Sequence, residues 1–279
     1  MKKVINFIFP FYVVIVFILI SCSSSTEPDE ESENIRLLNF SKKASDSAIN
    51  ALYLDLSNIC IGVAQNNFDE SYIRTELNSI LDKYQTATEC VYVNESNVMT
   101  YIEPAEYQYA EGVDITNQEH QQQMINTKLP ALSGIFKVVE GYYAVVFAAP
   151  IILDGKMMGS INIVIKPHEF ISFYTDPYLK NSTTNKYKVD DFWVMETNGY
   201  IIYDTDPTQT GRNLFTDSLY LPYPELLAAG HTIIAGDSGK TYYSFLDKNK
   251  KKTVTKDVWW QTSSYYGKIW KYSIVKEHL

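Results

Sequence analysis

Tyr142-Tyr143-Ala144-Val145-Val146-Phe147-Ala148-Ala149-Pro150-Ile151-Ile152-Leu153-Asp154-Gly155, followed by Gly159-Ser160-Ile161-Asn162-Ile163-Val164-Ile165-Lys166, decides the fold. Both flanks are short, apolar and bounded by turn residues, so residues 142–149 and 159–166 are predicted as strands. Asp154-Gly155 supplies the positive φ of a tight turn, which makes the two an antiparallel hairpin. Upstream, residues 90–93 and 98–102 are predicted as another hairpin, followed by a tyrosine-rich loop at 104–112 and a polar helix near 118–127.

Downstream the pattern restarts. Residues 168–179 read as a linking helix and 181–185 as a polar break between domains. Residues 191–197 and 200–204 then form a hairpin across Asn198-Gly199, 220–229 a short helix, and 240–246, 259–264 and 270–275 further strands. Ahead of both units, Leu38, Ile49, Leu52, Leu56, Ile59 and Val63 recur at threes and fours, the mark of one long amphipathic helix over 35–65, with a shorter helix over 68–83. The predicted class is α+β: a long helix at 35–67, then two similar modules at 68–170 and 171–279.

The first residues carry an address. Lys2 and Lys3 precede an apolar run at 4–20, and Leu19-Ile20-Ser21-Cys22 closes it with small residues, the layout of a signal peptide over 1–21. An uncleaved membrane helix is the alternative, but a run of 17 residues interrupted by Pro10 is at the short limit for a span. Both place the rest of the chain outside the cytoplasm. Residues 22–34, with Glu27, Asp29, Glu30, Glu31 and Glu33, are predicted to be a solvated acidic spacer.

Composition narrows the function. The net charge is -9, from 24 basic and 33 acidic residues, and weighs against a nucleic-acid partner. Cys60 and Cys90 lack zinc or redox spacing; they either pair or stay as buried free thiols, and the apolar sequence around both favours the thiols. His120, His168, His231 and His278 show no metalloprotease spacing, and there is no Gly-x-Ser-x-Gly elbow, so no catalytic residue, metal ligand or cofactor is predicted. Asp204, Asp206 and Asp217 around Gly211 do not fit a calcium loop and read as turn formers and caps; Arg212 reads as a solvent-facing turn residue. Trp193, Trp259, Trp260 and Trp270 read as packing residues. Tyrosine, with 22 residues, offers rigid apolar rings with polar tips. Tyr101, Tyr107, Tyr109, Phe136, Tyr142 and Tyr143 gather around the first module's strands and loop and are the candidate ligand-binding set, with plain sheet packing as the alternative for each.

These residues carry two resemblances. The run ending at Cys22 resembles the lipobox of prokaryotic lipoproteins, which implies that Cys22 is lipidated and is the membrane anchor. Leu132-Ser133, Glu140-Gly141-Tyr142-Tyr143, Pro150-Ile151, Asp154-Gly155 and Gly159 resemble the membrane-distal module of double Cache sensor domains. Trp193-Val194-Met195, Asn198-Gly199, Ile202-Tyr203-Asp204-Thr205-Asp206, Gly211-Arg212-Asn213-Leu214 and Trp270 look like the membrane-proximal module of the same family, so the likeness runs over roughly 35–274. The resemblance implies two stacked PAS-like modules with curved antiparallel sheets, a small organic ligand held in the distal one, no enzymatic activity, and a separate transmembrane signalling partner. Many amino-acid-binding members carry an Arg-x-Trp pair ahead of the central strands and an aspartate on the last distal strand; this chain has no such pair, and Val164 at the second position. The implied ligand is therefore a small organic solute rather than specifically a free amino acid. An exported hydrolytic enzyme and a structural envelope lipoprotein are the alternative functions.

Overall fold

In the computed structural model, which describes residues 30–138, 140–180, 189–247 and 252–278, a helix α1 (Glu30–Gln65) lies along both halves of the molecule. Its predicted stripe of Leu38, Ile49, Leu52, Leu56, Ile59 and Val63 is buried. The helix starts earlier than its apolar period announces. Glu31 and Glu33 belong to its first turns, where the unpaired N–H groups favour negative charge, and Glu33 is buried against Arg36 with contacts of 2.6 and 2.5 Å. That part of the acidic stretch is thus helix rather than spacer. Cys22 and the polar break at 181–185 lie outside the described residues.

Positive φ at Asn67 and Phe68 ends α1, and Asp69 caps α2 (Glu70–Lys83) by accepting from the Tyr72 amide at 2.8 Å. The first module then runs β1 (Ala87–Asn94), β2 (Met99–Glu103), a 3-10 turn at Ala105–Ala110, α3 (Glu119–Thr127), β3 (Ala131–Leu132), β4 (Phe136–Lys137), β5 (Tyr143–Leu153) and β6 (Lys156–Ile165). Asp154 and Gly155 both take positive φ at the hairpin turn. After α4 (Pro167–Leu179) the second module runs β7 (Asp191–Glu196), β8 (Ile201–Asp204), α5 (Pro224–Ala235), β9 (Ser238–Asp247), β10 (Lys252–Tyr265) and β11 (Lys268–Glu277). The helix predicted at 220–229 sits a few residues later, because Pro224 fits a helix's first turn, where its missing N–H costs nothing.

The sheets are antiparallel, ordered β2-β1-β6-β5-β3, with β4 also on β5, and β8-β7-β11-β10-β9. In each module the opening hairpin therefore pairs with the closing strand, and the repeat is one of topology as well as of element order. One face of each sheet packs on α1 in a single shared core, with Ile161, Ile163 and Ile165 from β6 and Trp270, Tyr272 and Ile274 from β11. Specific bonds fix the helix to both sheets: Tyr53 donates to the Ala131 carbonyl at 2.8 Å, and Ser263 to Asp46 at 2.7 Å. Cys60 and Cys90 are free and buried.

Candidate ligand-binding site

Strand alternation divides the first sheet between two environments. Cys90 and Tyr92 of β1, Val145, Phe147 and Ala149 of β5, and the β6 isoleucines face α1. Val91 and Val93 face away with Ile102 and Ile115, while Ala144, Val146, Ala148 and Val164 meet Met124 of α3. The register sets Asn162 opposite Val91 and Ala148, and Ser160 opposite Val93, on this far face. Asn162 and Ser160 are buried, as is Gln121 of the covering helix α3, whose amide donates to Asn97 at 2.8 Å. Asn162 Oδ1, Ser160 Oγ and Gln121 Oε1 find no partner in the protein. An unpaired buried polar atom costs roughly 1–3 kcal/mol, so this is a face suited to a group brought in from outside.

Ionisable groups border it. Glu89, two residues before Val91 on β1, has its carboxyl pushed up to about 7, first by burial and then by the charge of Glu140. Burial, and then the neighbouring Tyr142 phenol, raise the phenol of Tyr107. Burial pushes His120 of α3 down to about 4, so its ring is neutral near pH 7.

The structure distributes the predicted tyrosine set. Tyr107 and Tyr142 come together beside the far face, each packed on one of its apolar clusters. Tyr109 is 71% exposed at the rim, donating to Glu140. Tyr101 goes to the other side: it stacks on Tyr92 at 5.7 Å and lies under the Arg74 guanidinium at 4.9 Å, packed against the core shared with α1. Phe136 and Tyr143 line a groove of about 660 Å³ between the modules, with Arg212 and Gly211 on its opposite wall. Tyr143 is the first residue of β5 and Tyr142 lies just before it, packed instead with Ala144 and Val146 on the far face. Arg212 is tied to Asp217 at 2.9 Å and to the Thr208 carbonyl at 2.9 Å, so it braces the loop instead of facing solvent freely. Glu89, Gln121, Ser160 and Asn162 lie outside the predicted set; the alternation Ser160-Ile161-Asn162-Ile163 inside an apolar strand signals Ser160 and Asn162, while Glu89 and Gln121 carry no signal in the sequence.

The second sheet has a cavity of about 440 Å³ on its corresponding face. Asp191, Trp193, Asp204, Tyr223, Tyr243 and Lys256 are on its walls. Asp204, read from sequence as a turn former, is buried; burial and then the Asp191 charge push it up to about 8, against the pull of the Asp206 amide, which donates to it at 2.8 Å. Asp191 is raised by burial and accepts a hydrogen bond from Thr205. No group of three or more His, Cys, Asp or Glu side chains placed to hold a metal occurs among the described residues.

Two antiparallel sheets packed on one long helix define a two-module α+β domain. Residues 47–167, from α1 to the start of α4, match the family described as HK/GC/Chemotaxis protein-like, sensor domain, and the fold is the long helix with two antiparallel-sheet modules that the double Cache resemblance implies. The fold is similar to an extracellular ligand binding receptor from Desulfohalobium retbaense, with 18% identity and a TM-score of 0.65; the match covers 88% of this chain but only 40% of that receptor. It is also similar to the periplasmic sensory domain of the Campylobacter jejuni chemoreceptor Tlp1, at 12% identity, TM-score 0.58, and 88% and 95% of the two chains. The ligand-binding domain of the Pseudomonas aeruginosa amino acid chemoreceptor PctB, solved with L-Gln, is similar at 11% identity, TM-score 0.59, and 88% of each chain. No curated protein sequence matches this chain.

Proposed function

We propose that this chain is an extracytoplasmic, membrane-tethered binding protein that holds a small organic solute on the far face of its first module and passes the bound state to a separate transmembrane partner. The tether in this reading is a lipid on Cys22, supported by the charged, apolar and small-residue segments at 1–22. The observation that carries the reading is the set of buried unpartnered atoms Asn162 Oδ1, Ser160 Oγ and Gln121 Oε1 on one face, bordered by Tyr107 and Tyr142. Placed polar groups among apolar walls are how such sites fix a small molecule. The similar solved structures support a sensory role: two are chemoreceptor sensory or binding domains, and PctB was solved with an amino acid. Nothing in the site supplies a nucleophile and base in contact, so binding rather than turnover is the activity proposed.

A thermal-shift screen of small polar metabolites tests it. A solute at about 100 times its Kd adds roughly 2.7 kcal/mol to stability, visible as a melting point raised by a few degrees. Asn162→Ala and Tyr107→Phe should abolish or weaken the shift, while Tyr101→Phe, on the other face, should leave it intact. No shift from any compound, or a shift lost only with Tyr101→Phe, would count against the distal site.

A further inference from the structure

We infer that the cavity of the second module is a binding site in its own right and takes a small primary amine with an apolar body, its ammonium set against the Asp191 and Asp204 carboxyls and its body against the aromatic walls. It stands apart from the solute site proposed on the first module. The argument begins with charge. Asp191, Asp204 and Asp206 bring three carboxyls to the walls and Lys256 one ammonium, so the cavity is two positive charges short of neutrality when all three acids are ionised.

The surrounding groups do not supply that charge. Asp206 is engaged by the Thr208 amide and hydroxyl and by Gln209, and Asp190 accepts the Glu277 amide at 2.5 Å. Arg212 is committed to Asp217, Glu225 of α5 accepts the Ser244 amide at 2.9 Å, and His231 of α5 stacks on Phe215 at 4.3 Å. Tyr220 donates to Gln209, and burial keeps the phenols of Tyr220 and Tyr243 neutral. Without a ligand a proton on Asp204, whose carboxyl is pushed up to about 8 by burial and the Asp191 charge, meets part of the shortfall. An ammonium group makes the same correction with three N–H donors, which suit carboxylate oxygens.

The walls select the rest of the molecule. Trp193, Tyr223, Tyr243 and Phe245 present aromatic surface that attracts a cation and covers an apolar body. About 440 Å³ is room for a molecule of a dozen or so heavy atoms, within the usual range for small-ligand pockets. A neutral compound of the same shape meets the same walls but leaves the proton in place, so charge is what the site distinguishes.

Cyclohexylamine and its neutral counterpart cyclohexanol are suitable probes, titrated calorimetrically into the purified full chain. The amine is expected to bind and the alcohol to bind at least about tenfold more weakly. At pH 7, titrations in phosphate and in Tris should differ by the heat of close to one proton released per amine bound. Affinity should rise about tenfold per pH unit up to about pH 8 and then level off. Asp204→Asn, which imitates the protonated acid and retains an acceptor for the Asp206 amide, should fold, lose the proton release and lower amine affinity to that of cyclohexanol. Tyr223→Ala should weaken binding with the proton count unchanged, and Tyr107→Ala in the first module should change neither. Equal affinity for amine and alcohol, binding without proton release, no binding of the amine, or loss of binding with Tyr107→Ala would each overturn the proposal.

Discussion

Gly211 shows how a single residue joins the two modules. Its φ is +81°, and a Cβ there would stand 2.3 Å from the Tyr143 ring across the groove. Alanine in left-handed conformation costs roughly 1–2 kcal/mol, and the ring contact adds to that. We expect Gly211→Ala to lose about 2 kcal/mol or more by urea unfolding. Gly112, at φ +93° with nothing within 4 Å of its would-be Cβ, is the control: Gly112→Ala should cost only the conformational part, about 1 kcal/mol. Equal losses at the two sites would show that the Tyr143 contact contributes nothing. The tyrosine content marked Tyr142 and Tyr143 together, yet one borders the ligand face and the other the intermodule groove. Composition cannot separate two residues at the start of a strand; the phase of β5 does, and it is set by which of Ala144 and Val145 faces α1.

Among the elements, α1 has the largest consequence, because its apolar stripe packs on both sheets. By length and composition it would pass for a membrane span, but Leu52, Leu56 and Val63 are fully buried within the protein. A chain shortened to begin at Phe68 should expose the inner faces of both modules, aggregate or lose most of its urea resistance, and bind a dye for apolar surface. A shortened chain as soluble and as resistant as the whole would show that the modules need no helix. The existence and C-terminal end of α1, the two hairpins and the repeat of module order were legible from period and turn residues. The long reach of β10 and β11 was less so: their turn is Tyr266-Gly267, with φ of 42° and 94°, and a tyrosine in left-handed conformation is not a turn signal that composition announces.

For the molecule as a whole, the sites were harder to read than the fold because they are made by burial, which brings together residues from separate strands. Asp204 and Asp191 belong to different strands, and the pairing of Trp193 with Asp204 is what places them on one wall. The same burial makes stability depend on pH in a direction that can be worked out. Glu89 titrates at about 7 and Asp204 at about 8 in the folded protein, each above its value of roughly 4 when unfolded. Between about pH 6.5 and 8 the folded state therefore holds protons that the unfolded state has already released, and stability must fall as pH rises. His120 does not offset this: its folded value of about 4 lies below its unfolded value of about 6.5, so it costs stability only as pH falls beneath that upper value. Melting points should thus decline from pH 6.5 towards 8.5. Glu89→Gln should remove a part of the slope that fades out above about pH 7 and Asp204→Asn a part that persists until about pH 8, with the double variant nearly flat over this interval. A wild-type melting point that rises over this interval, or a slope untouched by both substitutions, would show that these carboxyls are solvated and ionised in the folded protein.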